Sequence, residues 1–168
     1  MTHPLVLALF NSRAEAAEAA AALHLRGVDR ADLSVLARSH AEEVEAAQAL
    51  DATPGVEIED SMKAARLGEL SGHILAAMAI VMPGIGPLVA GGPLAAEMGE
   101  VAGHVAGSLA DQLERAGLER ADADVLEAAV QKGNWLLGVH VRGGDAEGLA
   151  SIARDAGATA VYQGRWNG

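Results

Sequence analysis

Leu5 to Phe10 is an unbroken apolar run of six residues, short enough for a buried strand, and a helix-start signal follows it at once. In Ser12-Arg13-Ala14-Glu15 the serine hydroxyl can accept from the amide three residues on while the glutamate reaches back, the arrangement of a capping box. An alanine-rich helix is predicted from there to Leu25, and Gly27 supplies the left-handed residue that ends it. Leu33 to Ala37 then reads as a second strand.

The same order returns at the other end of the chain. Trp135 to Val141 reads as a strand, and Asp145 can cap a helix whose Leu149, Ile152, Ala153 and Ala156 fall on one face. Gly157 closes that helix and Ala158 to Gln163 returns as a strand. Two strand–helix–strand units of matched length predict an α+β fold, a ferredoxin-like split βαβ sandwich with four antiparallel strands and two helices on one face. The first half is expected over residues 1–60 and the second over 119–168.

The middle span, 61–118, reads as a long inserted helical hairpin. His40 to Leu50 is an acidic helical stretch broken by Asp51-Ala-Thr-Pro-Gly55, Val56 to Asp60 fits either a short strand or a loop, and Asp124 to Lys132 reads as a further helix. From Leu70 to Ala96 there is no Asp, Glu, Lys or Arg in 27 residues, a length that would suit a membrane span. Met82-Pro-Gly-Ile-Gly-Pro87 interrupts it, because proline removes an amide donor and clashes with the preceding turn. The expectation is two helical arms, from about Met62 to Val81 and from near Pro93 to about Ala116. Gly68, Gly72 and Ala76 on the first arm, and Gly99, Gly103 and Gly107 on the second, repeat at intervals of four and form small-residue stripes that allow close helix approach. Gly72, Ala76, Pro83, Gly84, Gly86, Pro87, Gly99, Gly103 and Gly107 are therefore the candidate assembly interface.

Charge narrows the partners. A formal net charge of −11, with 23 acids against 12 bases, opposes binding to a phosphate backbone, so no nucleic-acid partner is expected. The absence of cysteine excludes a disulfide framework and a thiolate nucleophile. The first residues lack the basic region and cleavage site of a secretory signal, and the reading is cytoplasmic, with membrane association through the apolar hairpin left open.

One constellation carries candidate chemistry. Glu69 and His73 on the first arm, with Glu97, Glu100 and His104 on the second, occupy neighbouring turns, and a bend near Ile85 would set the two groups opposite each other. Carboxylates plus imidazoles are ligands for iron, manganese or zinc inside helical bundles, and a lone histidine could hold heme. His24, His40 and His140 stand alone, with His140 read as a surface or satisfied histidine. Ser34, Ser71, Ser108 and Ser151 lie in no nucleophile context. No nucleophile with its activating base assembles from the sequence, so the expected role is noncatalytic.

Several segments carry a resemblance: Leu7 to Ala17, Leu33 to Arg38, Met82 to Ala96 and Gly133 to Val141, the most specific being Pro83-Gly-Ile-Gly-Pro87 followed by Gly92-Pro-Leu-Ala-Ala96. In these the chain resembles bacterial general-stress or low-temperature-induced proteins with a glycine-zipper insertion. The resemblance implies a ferredoxin-like frame, a stress response and no established enzymatic activity. The first arm departs from that pattern by carrying Ala and Met where a dense glycine run would stand. Three functional expectations follow: a homo-oligomer assembled through the hairpin, a metal-binding protein or oxidoreductase using the Glu/His set, and a peripheral membrane protein.

Overall fold

The structure is a computed structural model and describes residues 2–38, 77–82, 85–102 and 107–167. In chain order the elements are β1 (His3–Phe10), α1 (Arg13–Leu25), β2 (Leu33–Arg38), β3 (Ala77–Met82), β4 (Gly86–Gly91), α2 (Pro93–Ala102), α3 (Leu109–Arg115), α4 (Arg120–Gln131), β5 (Trp135–His140), α5 (Ala146–Asp155) and β6 (Ala160–Trp166). Among the described residues the class is α+β, with one antiparallel sheet of six strands in the order β3-β4-β2-β5-β1-β6.

Local signals set the ends of α1. Ser12 Oγ accepts from the Glu15 amide at 3.2 Å, and Glu15 reaches one residue beyond its own cap to accept from the Asn11 amide at 3.1 Å. Gly27, at φ +90°, lets the chain leave the helix in the left-handed conformation. The unit β1–α1–β2 straddles β5, and β5–α5–β6 straddles β1, so the two terminal halves interlock through one sheet.

Successive side chains on a strand point to opposite faces, and both faces of this sheet are covered. Val6, Ala8, Phe10, Leu33, Leu137 and Val139 pack against Ala16, Ala19, Ala20 and Leu23 of α1 and Ala150 and Ala153 of α5. Leu5, Leu7, Leu9, Leu36, Leu88 and Leu136 pack against Leu94, Leu109, Leu113, Leu126 and Val130 of α2, α3 and α4. This double burial accounts for the unbroken apolar run in β1, which a sheet wet on one face would have interrupted with polar residues.

Three expectations are corrected here. The sheet has six strands where four were expected, and helices cover two faces where one was expected. Ala77 to Val81, expected to end a helical arm, instead runs as β3, and Gly86–Gly91 runs as β4, with Ala77 opposite Gly91 and Met82 opposite Gly86. The bend therefore lies close to the expected position, but it joins strands. Pro83 and Pro87 block helix continuation, and β2 offers β4 a strand edge to pair with, from Val35 opposite Gly91 to Arg38 opposite Leu88. Met62 to Ala76, in the same expected arm, lies outside the described residues, as do the stretches around Leu50 and Val56.

The second arm does begin at Pro93, where proline suits the first helical turn because its missing amide would have had no partner. Its helix is described over Pro93–Ala102, and a new helix starts at Leu109 after the Ser108 cap, so one arm to Ala116 becomes two helices. Ser108 and Asp111 form a complete capping box that starts α3. Beyond α3, Gly117 at φ +104° lies against β6. Its carbonyl accepts from the Arg165 amide at 3.2 Å, and a Cβ there would fall 1.5 Å from the Arg165 carbonyl oxygen.

Candidate functional site

Of the candidate metal ligands, Glu69, His73 and His104 lie outside the described residues. Glu97 and Glu100 are both on α2. Among the described residues no cluster of three or more His, Asp or Glu side chains is disposed to hold a metal ion. The expected opposition of the two Glu/His groups assumed helical arms flanking the bend, and the residues immediately flanking it are strands. The candidate assembly residues divide similarly: Gly86 and Pro87 lie in β4 and Gly99 in α2, Gly107 precedes the Ser108 cap, and Gly72, Ala76, Pro83, Gly84 and Gly103 lie outside the described residues.

The structure brings together a polar group that sequence spacing does not suggest. At one end of the sheet, β2, β5, β1 and β6 place Ser34, His140, His3 and Trp166 on the face covered by α2, α3 and α4. The strand registers put Ser34 opposite Gly138, Leu5 opposite His140 and His3 opposite Trp166. Gly138 contributes no side chain, and a Cβ there would come within 3.3 Å of the Ser34 Cβ. The space this leaves lets Ser34 Oγ approach His140 Nε2 at 3.2 Å.

Ser34 Oγ also accepts from the Leu94 amide at 3.0 Å. Gly92, immediately before α2, has no side chain with which to cap it, and the serine of β2 supplies the missing acceptor. Ser34 Oγ thus shares a hydrogen bond with His140 Nε2 beside the one it accepts from the Leu94 amide. The other ring nitrogen of His140, Nδ1, shares a hydrogen bond with His3 Nε2, 3.1 Å away. The imidazole and the Trp166 indole stand at 84° to each other in a T-shaped contact, with ring centroids 4.5 Å apart.

This line of serine, histidine and histidine has the connectivity of an activated nucleophile. Its surroundings argue against that use. Ser34 is 0% exposed and His140 2% exposed. A buried hydroxyl that already receives a helix amide has no approach for a substrate carbonyl, so the bonds fix β1, β2, β5 and α2 to one another. Burial, with His3 and Arg142 nearby, pushes the His140 imidazole down to about 4 from an ordinary value of 6.5, which keeps it neutral. His140 is thus a satisfied histidine, but not a solitary one.

A cleft opens at the same end of the sheet, between the α1–β2 and β5–α5 connections, with a volume of about 520 Å³. Arg26, Gly27, Val28, Asp29 and Asp32 line one side, and Arg142, Gly143, Gly144 and Asp145 line the other, with Leu149 and Ile152 of α5. Asp145 Oδ1 accepts from the Glu147 amide at 3.0 Å and Asp29 Oδ1 from the Ala31 amide at 3.1 Å, each starting a helical turn. Arg142 Nε meets Asp32 Oδ1 at 2.5 Å across the mouth.

Sequence reasoning missed both groups because their members meet only through the sheet order. One signal was present: His140 and Ser34 are polar residues inside otherwise apolar strands, Trp-Leu-Leu-Gly-Val-His and Leu-Ser-Val-Leu-Ala. Comparison with family models, curated proteins and solved structures finds no match to this chain.

Proposed function

We propose that this chain is a noncatalytic, stress-associated assembly protein on a ferredoxin-like frame, and that it self-associates by continuing its sheet at β3. The observation that carries the reading is the position of β3. Ala-Met-Ala-Ile-Val-Met is uncharged, it is the end strand of the sheet, and among the described residues no strand pairs with its outer side. Such an edge presents a row of backbone donors and acceptors, and charge is the usual device against unwanted pairing.

A second copy is the natural occupant. An antiparallel strand edge is complementary to itself under a two-fold axis, so β3 against β3 extends an already antiparallel sheet. Two chains of net charge −11 repel each other, and the 27-residue uncharged stretch containing β3 is where they can approach with least cost. The opposite edge is less available, because Gly117 already takes the outward Arg165 amide of β6. The buried Ser34 and His140 favour the noncatalytic part of the reading. The stress association rests on the resemblance of the Pro83 to Ala96 segment.

Amide hydrogen exchange tests the mode of assembly. Protection over Ala77–Met82 should rise with protein concentration while that of β1 and β5 stays constant. Exchange of β3 that is independent of concentration would remove the reading.

A further inference from the structure

The cleft between the α1–β2 and β5–α5 connections has hydrogen-bonding capacity that the fold leaves unused. No hydrogen bond or ion pair among the described residues engages the Arg26 guanidinium, and Arg142 spends only its Nε, on Asp32. Asp29 and Asp145 each commit one oxygen to a backbone amide and keep the other. Two guanidinium groups against three carboxylates leave the lining near balance, so neither a simple anion nor a simple cation is favoured. A ligand carrying both charges satisfies both sets.

The rest of the lining sets the size and body of that ligand. A Cβ added at Gly27, Gly143 or Gly144 would meet nothing within 4 Å, so these glycines border open space. Val28, Leu149 and Ile152, partly buried against the α1/α5 core, give the cleft an apolar wall between its charged lips. A volume of about 520 Å³ lies in the range of small-molecule sites. We infer that this cleft binds an aliphatic α-amino acid, its carboxylate on Arg26 and the outer nitrogens of Arg142, its ammonium on Asp29 and Asp145, and its side chain on the apolar wall. The inference is independent of assembly through β3.

Titration of the ¹⁵N-labelled protein with L-leucine tests it, beside 4-methylpentanoate and 3-methylbutylamine, which each keep one charge and the same hydrocarbon. Leucine should give saturable amide shifts confined to residues 26–32 and 140–152, and should bind about tenfold or more tighter than either comparator, as expected for losing a charged hydrogen-bond partner. Arg26→Gln removes no hydrogen bond or ion pair seen among the described residues, so it should keep its melting temperature while weakening leucine by about tenfold. Absence of localised shifts up to the solubility limit would overturn the inference. So would a comparator that binds as tightly as leucine, or an Arg26→Gln protein that binds it unchanged.

Discussion

Ser34 serves two elements at once, capping the first turn of α2 through the Leu94 amide and engaging the His140 imidazole of β5. Ser34→Ala strands a buried N–H and a buried ring nitrogen together, and an unsatisfied buried group costs about 1–3 kcal/mol. Chemical denaturation should show a loss of that order without a change of fold. His140 carries a pH signature. Its folded pKa of about 4 lies below the ordinary 6.5, so between these values the unfolded chain binds the proton and the folded one does not. This contribution is complete above pH 6.5 and is lost as pH falls toward 4, with a slope approaching one proton, about 1.4 kcal/mol per pH unit. Stability curves of His140→Gln, which can still hydrogen-bond to Ser34, should lack that proton's worth of slope. An unchanged slope would show that the imidazole titrates normally in the folded state. Neither role was legible in the sequence, since Ser34 and His140 are 106 positions apart and meet only because β2 and β5 are neighbours.

At the level of elements, what is written locally was legible and what depends on pairing was not. Ser12, Glu15 and Gly27 mark the ends of α1, Pro93 marks the start of α2, and Asp145 and Gly157 bracket α5. Ala77–Met82 carries no comparable marker, and an apolar run of that kind suits a buried helix or a buried strand until a partner edge is known. Glycines of similar conformation also differ in what surrounds them. Gly27 borders open space, so Gly27→Ala should cost about 1–2 kcal/mol for the left-handed backbone alone. Gly117→Ala adds a clash with the Arg165 carbonyl, and its melting temperature should fall well below that of Gly27→Ala. Equal losses would mean that the α3–α4 turn does not hold the β6 edge closely.

At the scale of the molecule, helices cover both faces of the sheet, and the two strands that are outermost among the described residues differ. β6 is held by the turn at Gly117, whereas β3 is an uncharged end strand in a chain of net charge −11. The interlocked terminal halves were foreseeable from two strand–helix–strand patterns of matched length. The two added strands were not, because the middle span reads as a helical hairpin and gives no sign of the pairing with β2. The cleft likewise depends on two connections brought together by the strand order. Assembly through β3 is the central claim, and light scattering on the wild-type protein beside Ala79→Pro and Ile80→Pro tests it most directly. Adjacent residues of a strand send their amides alternately toward β4 and away from it, so one of these prolines deletes an outward donor and spares the ladder. The wild-type mass should be a multiple of 17.1 kDa, and one proline variant should be monomeric with an unchanged circular dichroism spectrum. A wild-type protein that stays at 17.1 kDa at the highest concentration reached, or folded variants that both keep its oligomeric mass, would contradict the account.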